Sequence, residues 1–391
     1  ILIISLLTFF IWVFFGGIDV VSHGLFAALS VLVVACPCAV GLATPVALAA
    51  GLNKAARNHI LIRDTSALEQ MRNVDVVVFD KTGTLTEGHP TVIGWLWAQG
   101  QEEHYKDVLL AAESTSDHPL AEAIVTALEG EEQVIPAHLD GFENITGKGV
   151  RVAYQGAEYW VGSHKLLKDY QANLSDILAD MLTQYESDGN SIVYFGREND
   201  LLAVIAIKDQ LRVTSMEAIR ELRIQDIEIC MLTGDGERTA SSVAGSLGIM
   251  RFVADAMPDD KEDFIHKLQL QGKTVAMVGD GVNDAQALSC ADVSIAMGKG
   301  TDTLMDTAMI TLRTSDLLLL PKVFRLSRQT VSLMYRNLFW AFIYNTVGIF
   351  VAAGVLYPVY DILLSPALAG AAMALSCVSV ALSSLRLSSR F

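Results

Sequence analysis

The chain has 391 residues, 52% of them hydrophobic, yet 44 Asp and Glu against 28 Lys and Arg leave a formal net charge of -16. Positive mean hydropathy beside so much acid requires apolar and acidic stretches to be segregated, as in a membrane protein carrying a soluble acidic insert. The acid excess argues against nucleic acid as the main partner, while nucleotide held through a metal ion stays compatible.

Residues 1–17 are almost wholly apolar and about long enough to cross most of a bilayer core of roughly 30 Å, so they read as the end of a span. The sequence opens on Ile inside this run, and the chain is read as a fragment that offers no signal peptide to interpret. A polar stretch with Asp19, Ser22 and His23 follows, then a second apolar run over residues 25 to about 52. Lys54, Arg57 and Arg63 come directly after it, which puts that end in the cytoplasm by the positive-inside tendency. Inside this run lies Cys36-Pro37-Cys38. Proline lacks an N–H and clashes with the carbonyl four residues back, so the helix is expected to open around Val33 and aim both sulfurs into one space. Five cysteines arranged this way favour thiol ligation of a soft ion, Cu(I), Zn(II) or similar, over a disulfide framework.

From about Asp64 to Arg336 strand-like and helix-like segments alternate and carry most of the charge. Residues 74–79, 227–232, 273–278 and 293–297 are expected to be strands, each with a polar turn at or near its C-terminal end, as in doubly wound sheets. Between about Gly94 and Leu201 the composition differs, with Trp95, Trp97, Tyr154, Tyr159 and Trp160, and a second domain is expected to be inserted there. Apolar runs at 338–356 and 362–385, flanked by Arg325, Arg328, Arg336, Arg386 and Arg390, complete four spans around one large cytoplasmic insert.

The motifs of the insert carry chemistry. Four apolar residues run into Asp80, so a buried strand delivers a carboxylate to the carboxyl edge of a parallel sheet, where ligands collect. Such a carboxylate can accept a phosphoryl group if cations and backbone N–H groups offset the charge; Lys81 and the Thr82-Gly83-Thr84 turn can supply both. Thr233, Gly234 and Asp235 end another strand and can bring a hydroxyl and N–H groups to the phosphoryl oxygens. Lys261, beyond the Met257-Pro258 turn, is the second cation. Asp280, with Asp80 and a backbone oxygen near Thr82, can hold Mg²⁺, while Asn283 and Asp284 orient the groups around it.

DKTGTLTEG at 80–88, TGD at 233–235, PDDK at 258–261 and GDGVND at 279–284 resemble the phosphorylation-domain motifs of P-type ATPases. The intramembrane Cys-Pro-Cys is similar to that of their heavy-metal-transporting class, and the resemblance covers almost the whole chain. It implies an α-helical transmembrane bundle plus an α/β haloacid dehalogenase-like phosphorylation domain with an inserted α+β nucleotide-binding domain. Two transmembrane helices would occupy 1–63, the phosphorylation domain 64–93 and 204–325, the nucleotide-binding domain 94–203, and two further transmembrane helices 326–391. It also implies ATP and Mg²⁺ as cofactors, an aspartyl phosphate on Asp80, and a plasma or inner membrane location. Glu113, the segment Ser116-Asp117-His118-Pro119, the pair Gly147 and Gly149, and Gly162 with Ser163 are similar to the elements that surround adenine and ribose in this class. Physically, His118 can stack on or bond a purine, the glycines let backbone approach it, and Glu113 can accept from its amine. Ser163 stands where the family has Asn.

For the transported ion, Tyr344 with Asn345 and the segment from Met373 to Cys377 nearly match the elements that supply further ligands in the copper(I) subgroup. Cys377 stands where a second serine is expected. The lysine and acidic elements of the zinc, cadmium and lead subgroup are not found, and an uncharged thioether suits a monovalent soft ion. Cu⁺, delivered by a cytosolic chaperone, is the expected ion, with Ag(I) or Zn(II) as alternatives. The competing enzyme class is a membrane-anchored phosphatase of the dehalogenase fold, which would carry Asp where this chain has Thr82. A metal sensor without turnover is the third. The family's actuator domain is expected to lie outside this sequence.

Overall fold

The structure, a computed structural model, describes residues 1–16, 21–98, 102–116, 118–131, 134–172, 176–280, 284–298 and 308–389. Its contacts divide the chain into two units, one made of Ile1–Arg72 with Lys322–Phe391 and the other of Asn73–Pro321.

In the second unit the run Val76–Asp80 is buried along its whole length, as a valine-rich strand must be when both faces of a parallel sheet are covered. Val275–Gly279 flanks it on one side and Glu228–Leu232 on the other, both parallel to it. Beyond these lie Val293–Met297 with Ile310–Leu312, and Arg251–Val253, again all parallel. The register sets Val278 beside Phe79 and Leu232 beside Asp80. Thr233 therefore leaves the sheet directly after Leu232, and Asp280 directly after Gly279, at the edge where Asp80 ends its strand. Helices Ser215–Ile224, Glu237–Leu247 and Pro258–Leu270 return the chain between strands. Pro258 sits in the first turn of its helix, where its missing N–H is harmless, and Gly248 ends Glu237–Leu247 in the left-handed region at φ 67°.

A six-stranded antiparallel sheet is built between the first and second strands of that parallel set. Its order is Thr91–Trp97, Asp200–Lys208, Ser191–Arg197, Ala157–Gly162, Gly149–Tyr154, Gly141–Ile145. The chain leaves and returns side by side, with Thr91 opposite Lys208. Alternation along the strands serves two cores, because successive side chains point to opposite faces. Tyr159, Val161, Val193, Phe195 and Ile205 face one core with Leu109 and Ile124 of helices Glu102–Glu113 and Pro119–Glu129. Trp160, Tyr194 and Val204 face the other, with Leu166 and Leu182 of helices His164–Asp169 and Asp176–Ser187. Trp160 is fully buried, stacks on Tyr170 with ring centroids 5.1 Å apart and donates its indole N–H to the Glu198 carbonyl at 2.9 Å.

The first unit is helical and apolar. Helices Leu2–Gly16, Val21–Val34 and Cys38–Arg57 are followed, after the second unit, by Leu319–Ala352 and Pro366–Ser389. By length and apolar composition, Val21 to Arg57 (37 residues) and Pro366 to Leu387 (22 residues) are able to cross a bilayer, and Leu2–Phe15 is a shorter apolar helix. The expected third span is the far part of one unbroken 34-residue helix that already contains Lys322, Arg325, Arg328 and Arg336, since nothing between them interrupts it. The helix of the fourth expected span starts at Pro366 and not at residue 362, because proline opens the helix and the preceding segment is engaged otherwise: Ser30 donates to the Leu364 carbonyl at 2.7 Å. Small residues let the helices approach: a methyl added at Gly348 would meet Val34 at 2.5 Å, and one at Gly51 would meet Thr330 at 2.6 Å.

Replacing Trp160 by Ala removes a fully buried aromatic and its hydrogen bond, and is expected to cost about 3–5 kcal/mol. Chemical denaturation followed by far-ultraviolet circular dichroism checks this.

Candidate functional site

The carboxyl edge of the parallel sheet gathers acid and base from four places in sequence. Asp80 is 6% exposed, and one of its oxygens accepts from the Lys261 ammonium at 2.6 Å. The same ammonium donates to Asp284 at 2.7 Å. Lys261 reaches both because Pro258 starts its helix one turn earlier, and Asp284 sits at the N-cap of helix Ala285–Cys290. Carboxylate oxygens of Asp80, Asp280 and Asp284 all lie within 4.8 Å of one another. Burial alone would lower the Lys261 ammonium, but Asp80 and Asp284 outweigh it and raise it, so the lysine is charged. Burial, then the carboxylates of Asp80 and Asp284, push Asp280 up to about 7.

Three crowded carboxylates with one ammonium fit a hard divalent ion taking oxygen donors, and Mg²⁺ meets that description. Asp284 stands in this group as a third carboxylate, where the sequence suggested a supporting role for it and a Thr82 backbone oxygen as ligand. Thr82 is partly exposed and extended (φ -73°, ψ 131°) in the turn after Asp80. Gly83 has φ 70°, and a side chain there would run into the Asp280 carboxylate, which explains why the turn needs glycine. Asn283 lies outside the described residues.

Lys81 is placed differently from the expectation. Its buried ammonium pairs with Asp235 and donates to Ser191 at 3.1 Å, so Lys261 and not Lys81 is the cation bonded to Asp80. Burial would raise Asp235, but Lys81 overrides it and holds the carboxyl below its ordinary range. Thr233 is buried and its hydroxyl bonds Asp235 at 3.0 Å; Gly234 joins the two with no heavy atom nearer than 3.8 Å to a methyl built on it. The Thr233-Gly234-Asp235 turn thus anchors Lys81 from one side while Ser191 does so from the other.

Three residues of the site carried no signal of their own in the sequence. Asp209 pairs with the Thr86 hydroxyl and accepts from the Gly88 N–H at 3.1 Å. Arg212, 8% exposed, donates to the carbonyls of Gly83 and Thr84 and so clamps the turn after Asp80. Both follow directly on the last strand of the inserted sheet, where the segment Lys208 to Arg212 reads as an ordinary charged turn. Ser191 opens a strand of that sheet and is equally unremarked.

In the inserted domain Glu113 ends helix Glu102–Glu113, is 6% exposed, and burial pushes its carboxyl up to about 8. His118 caps helix Pro119–Glu129: its Nδ1 accepts from the Leu120 N–H at 3.2 Å, which leaves the proton on Nε2. The residue as a whole is exposed, yet dehydration around the ring lowers its pKa, with Asp235 and Asp80 pulling the other way. Asp117 lies outside the described residues. Gly147 has φ 69° and a methyl on it would meet Met257 at 2.7 Å, so this loop abuts the turn before Lys261. Gly149 has φ 143° and, like Gly162, is in close contact with the neighbouring strand. Ser163 donates its N–H to the Lys148 carbonyl at 2.8 Å, while its hydroxyl oxygen is buried without a hydrogen-bond partner. An orphaned hydroxyl beside backbone-tight glycines fits a site that closes on a polar ligand such as the ribose of a nucleotide.

In the helical unit, the helix breaks at Ala35, Cys36 and Pro37, slightly past the expected position, with Cys36 N–H bonded to the Val33 carbonyl at 3.3 Å. The sulfurs of Cys36 and Cys38 are joined as a disulfide, a correction to the expected pair of free thiols. The cause is the break itself, which brings the two Cα atoms to 5.5 Å and turns both side chains to one side, within the range that permits a bridge. Only the reduced pair offers thiolates to an ion. Cys377 packs against the buried cluster of Ala39, Ala43, Ala341 and Val380, which begins at the residue after Cys38. Asn345 and Ser376 each carry a buried side-chain oxygen without a partner. Met373 is half-buried, and Tyr344 is 49% exposed and leans on Trp340 with centroids 6.0 Å apart.

Comparisons with known proteins agree with this geometry. Residues 74–292 match the haloacid dehalogenase-like hydrolases. A copper-exporting P-type ATPase of Legionella pneumophila is 43% identical over 99% of this chain and 52% of its own length. A silver-exporting P-type ATPase of Salmonella typhimurium is 44% identical over 100% of this chain and 47% of its own. The chain thus spans about half the length of the curated relatives it matches. Among solved structures, a zinc-transporting PIB-type ATPase in the E2.Pi state superposes with a TM-score of 0.70 at 32% identity, over 99% of this chain and 62% of that one. The catalytic domain of a CPx-ATPase superposes with a TM-score of 0.58 at 28% identity, over 70% of this chain and 97% of that one.

The fold and its carboxylate edge define a haloacid dehalogenase-like hydrolase domain. The chain belongs to the heavy-metal P-type ATPases.

The raised Asp280 gives a prediction with a definite sign. A carboxyl lifted in the folded state to about 7 destabilises the ion-free fold as pH rises from the unfolded value through 7. Asp280→Asn is therefore expected to raise the ion-free melting temperature at pH 8 and to change it little at pH 4, and calorimetry at the two pH values checks this.

Proposed function

We propose that this chain carries the catalytic and ion-binding half of an ATP-driven Cu(I) exporter that works through an aspartyl phosphate on Asp80. The observation that carries the reading is the Lys261 ammonium held between Asp80 and Asp284, with Asp280 beside them.

In this reading the free oxygen of Asp80 attacks the terminal phosphorus of ATP, and the bond from that phosphorus to the bridging oxygen breaks as ADP leaves. Lys261 offsets the charge that accumulates on the phosphoryl oxygens, and Arg212 keeps the turn after Asp80 from shifting as it does. Mg²⁺, held by Asp80, Asp280 and Asp284, would supply the remaining positive charge. The Nε2–H of His118 is available to the nucleotide, since Nδ1 is committed to the helix N-terminus. Glu113, protonated near neutrality, can donate through its hydroxyl and accept through its carbonyl along the edge of an adenine ring. Thr82 in place of a second acid after the nucleophile leaves no nearby base in the turn itself to activate water, which favours a long-lived phosphoenzyme over a simple phosphatase.

Cu(I) as the substrate ion is supported by the sulfurs of Cys36 and Cys38 meeting at the helix break, where reduction would free two thiolates, with Cys377 and Met373 on a neighbouring helix and no carboxylate among these residues. The names of the copper- and silver-exporting relatives point the same way. The half-chain coverage leaves room for a separate actuator domain in the whole protein, and a cytosolic chaperone is the proposed source of Cu(I).

In the whole protein, Asp80→Asn is expected to abolish acid-stable labelling from γ-labelled ATP, and persistent labelling would overturn the nucleophile. Cys36→Ser with Cys38→Ser should eliminate stimulation of ATP hydrolysis by Cu(I) under reducing conditions while leaving nucleotide binding intact; assays with Ag(I) and Zn(II) in parallel rank the ions. Glu113→Ala should weaken ATP binding at pH 7, whereas Glu113→Gln, which keeps one donor and one acceptor, should retain it. Wild-type affinity should fall as pH rises through about 8, where the donor proton is lost, and titration calorimetry reads all three.

A further inference from the structure

One residue past Lys261 in helix Pro258–Leu270 begins a second cluster of ligating groups. Glu262 and His266, four residues apart, share a face of that helix, and Cys290 ends helix Ala285–Cys290 opposite them. Side-chain atoms of the three lie within 4.8 Å of one another. The Cys290 sulfur is 3.4 Å from a Glu262 oxygen, and the His266 Nε2 is 3.5 Å from the same oxygen.

Those separations match what one tetrahedral ion would impose. With zinc bonds of about 2.3 Å to sulfur and about 2.1 Å to nitrogen and oxygen, tetrahedral ligands stand roughly 3.6 Å apart for sulfur and oxygen and roughly 3.4 Å for nitrogen and oxygen. A second observation is independent of the spacing. The Gln269 side chain bridges the two helices, its nitrogen donating to the Cys290 carbonyl at 2.8 Å and its oxygen lying 3.2 Å from His266 Nδ1. An oxygen there takes a proton from Nδ1, so the lone pair of Nε2 is presented to Glu262 and Cys290. Metal-bound histidines are oriented by this kind of outer hydrogen bond.

We propose that Glu262, His266 and Cys290 form a Zn²⁺ site separate from the phosphorylation edge, with water as fourth ligand. A set of one sulfur, one imidazole and one carboxylate suits a borderline divalent ion better than Cu(I), which favours soft sulfur ligands over carboxylate, or Mg²⁺, which takes oxygen. Binding releases the thiol proton to solvent. The ion fastens helix Pro258–Leu270 to helix Ala285–Cys290, the two elements that Lys261 and Asp284 already join at the catalytic edge. The proposal stands on this cluster alone and does not depend on which ion is exported.

The test uses the full chain with Cys36→Ser, Cys38→Ser and Cys377→Ser, which removes the competing sulfurs of the helical unit, and Co²⁺ as a coloured stand-in for zinc. One equivalent of Co²⁺ is expected to give a thiolate-to-cobalt charge-transfer band and intense tetrahedral visible bands, both bleached by Zn²⁺. Adding Cys290→Ser should remove the charge-transfer band, and Gln269→Ala should weaken Co²⁺ binding roughly 10–100-fold. Circular dichroism confirms that each variant folds. A band that survives Cys290→Ser, or no band in the parent, overturns the site.

Discussion

One ammonium between two carboxylates organises the chemistry of the unit Asn73–Pro321. Lys261 is buried, and a buried charge is tolerated only when opposite charges and hydrogen bonds meet it. Asp80 and Asp284 do so at 2.6 and 2.7 Å. Removing either carboxylate would leave the ammonium half-compensated, and removing the lysine would leave three acids in one pocket with nothing between them. The fold meets this constraint through topology: Asp80 ends the central strand, Asp284 follows its neighbour, and Lys261 rises in the first turn of a helix begun by proline. The pairing holds one oxygen of Asp80 and leaves the other for the attack proposed above.

A second buried pair, Lys81 with Asp235, ties the two sheets together. Ser191 belongs to the inserted antiparallel sheet, while Lys81 and Asp235 belong to turns of the parallel one. Thr86 with Asp209, and Arg212 with the carbonyls of Gly83 and Thr84, repeat the same device where the chain crosses between the sheets. Polar contacts of this kind are directional and short in reach, so they fix the turn after Asp80 more tightly than apolar packing can.

The parallel strands, the inserted aromatic sheet and the break at Cys36-Pro37-Cys38 were legible in the sequence because each rests on a local cause: a run of β-branched residues, an alternation, a missing N–H. The carboxylates of Asp80 and Asp280 and the ammonium of Lys261 were legible as motif residues. What could not be read was which charge meets which. Lys81 is adjacent to Asp80 in sequence, yet the strand ends at Asp80 and Lys81 opens the turn that follows, where its ammonium pairs with Asp235. Asp209, Arg212 and Ser191 were missed because their importance comes from long-range pairing across more than 100 residues, which no local pattern records. The start of the last helix at Pro366 was obscured by an apolar run that composition alone extends to residue 362.

The two sulfurs at the helix break show how one geometry serves two chemistries. Proline removes the hydrogen bond that would continue the helix, and the chain responds by rotating Cys36 and Cys38 toward the same point. Two sulfurs so placed either bond to each other or share a soft ion, and the redox poise of the surroundings selects between these states. Cys377, Ser376 and Asn345 lie on the neighbouring helices with polar atoms that the apolar packing leaves unmatched or only loosely packed. A buried oxygen without a partner is unfavourable in lipid, and it persists where a ligand or water meets it during function. The same reasoning applies to Ser163 in the recess proposed for the nucleotide, so both ends of the proposed reaction are marked by polar atoms that the isolated fold leaves unsatisfied.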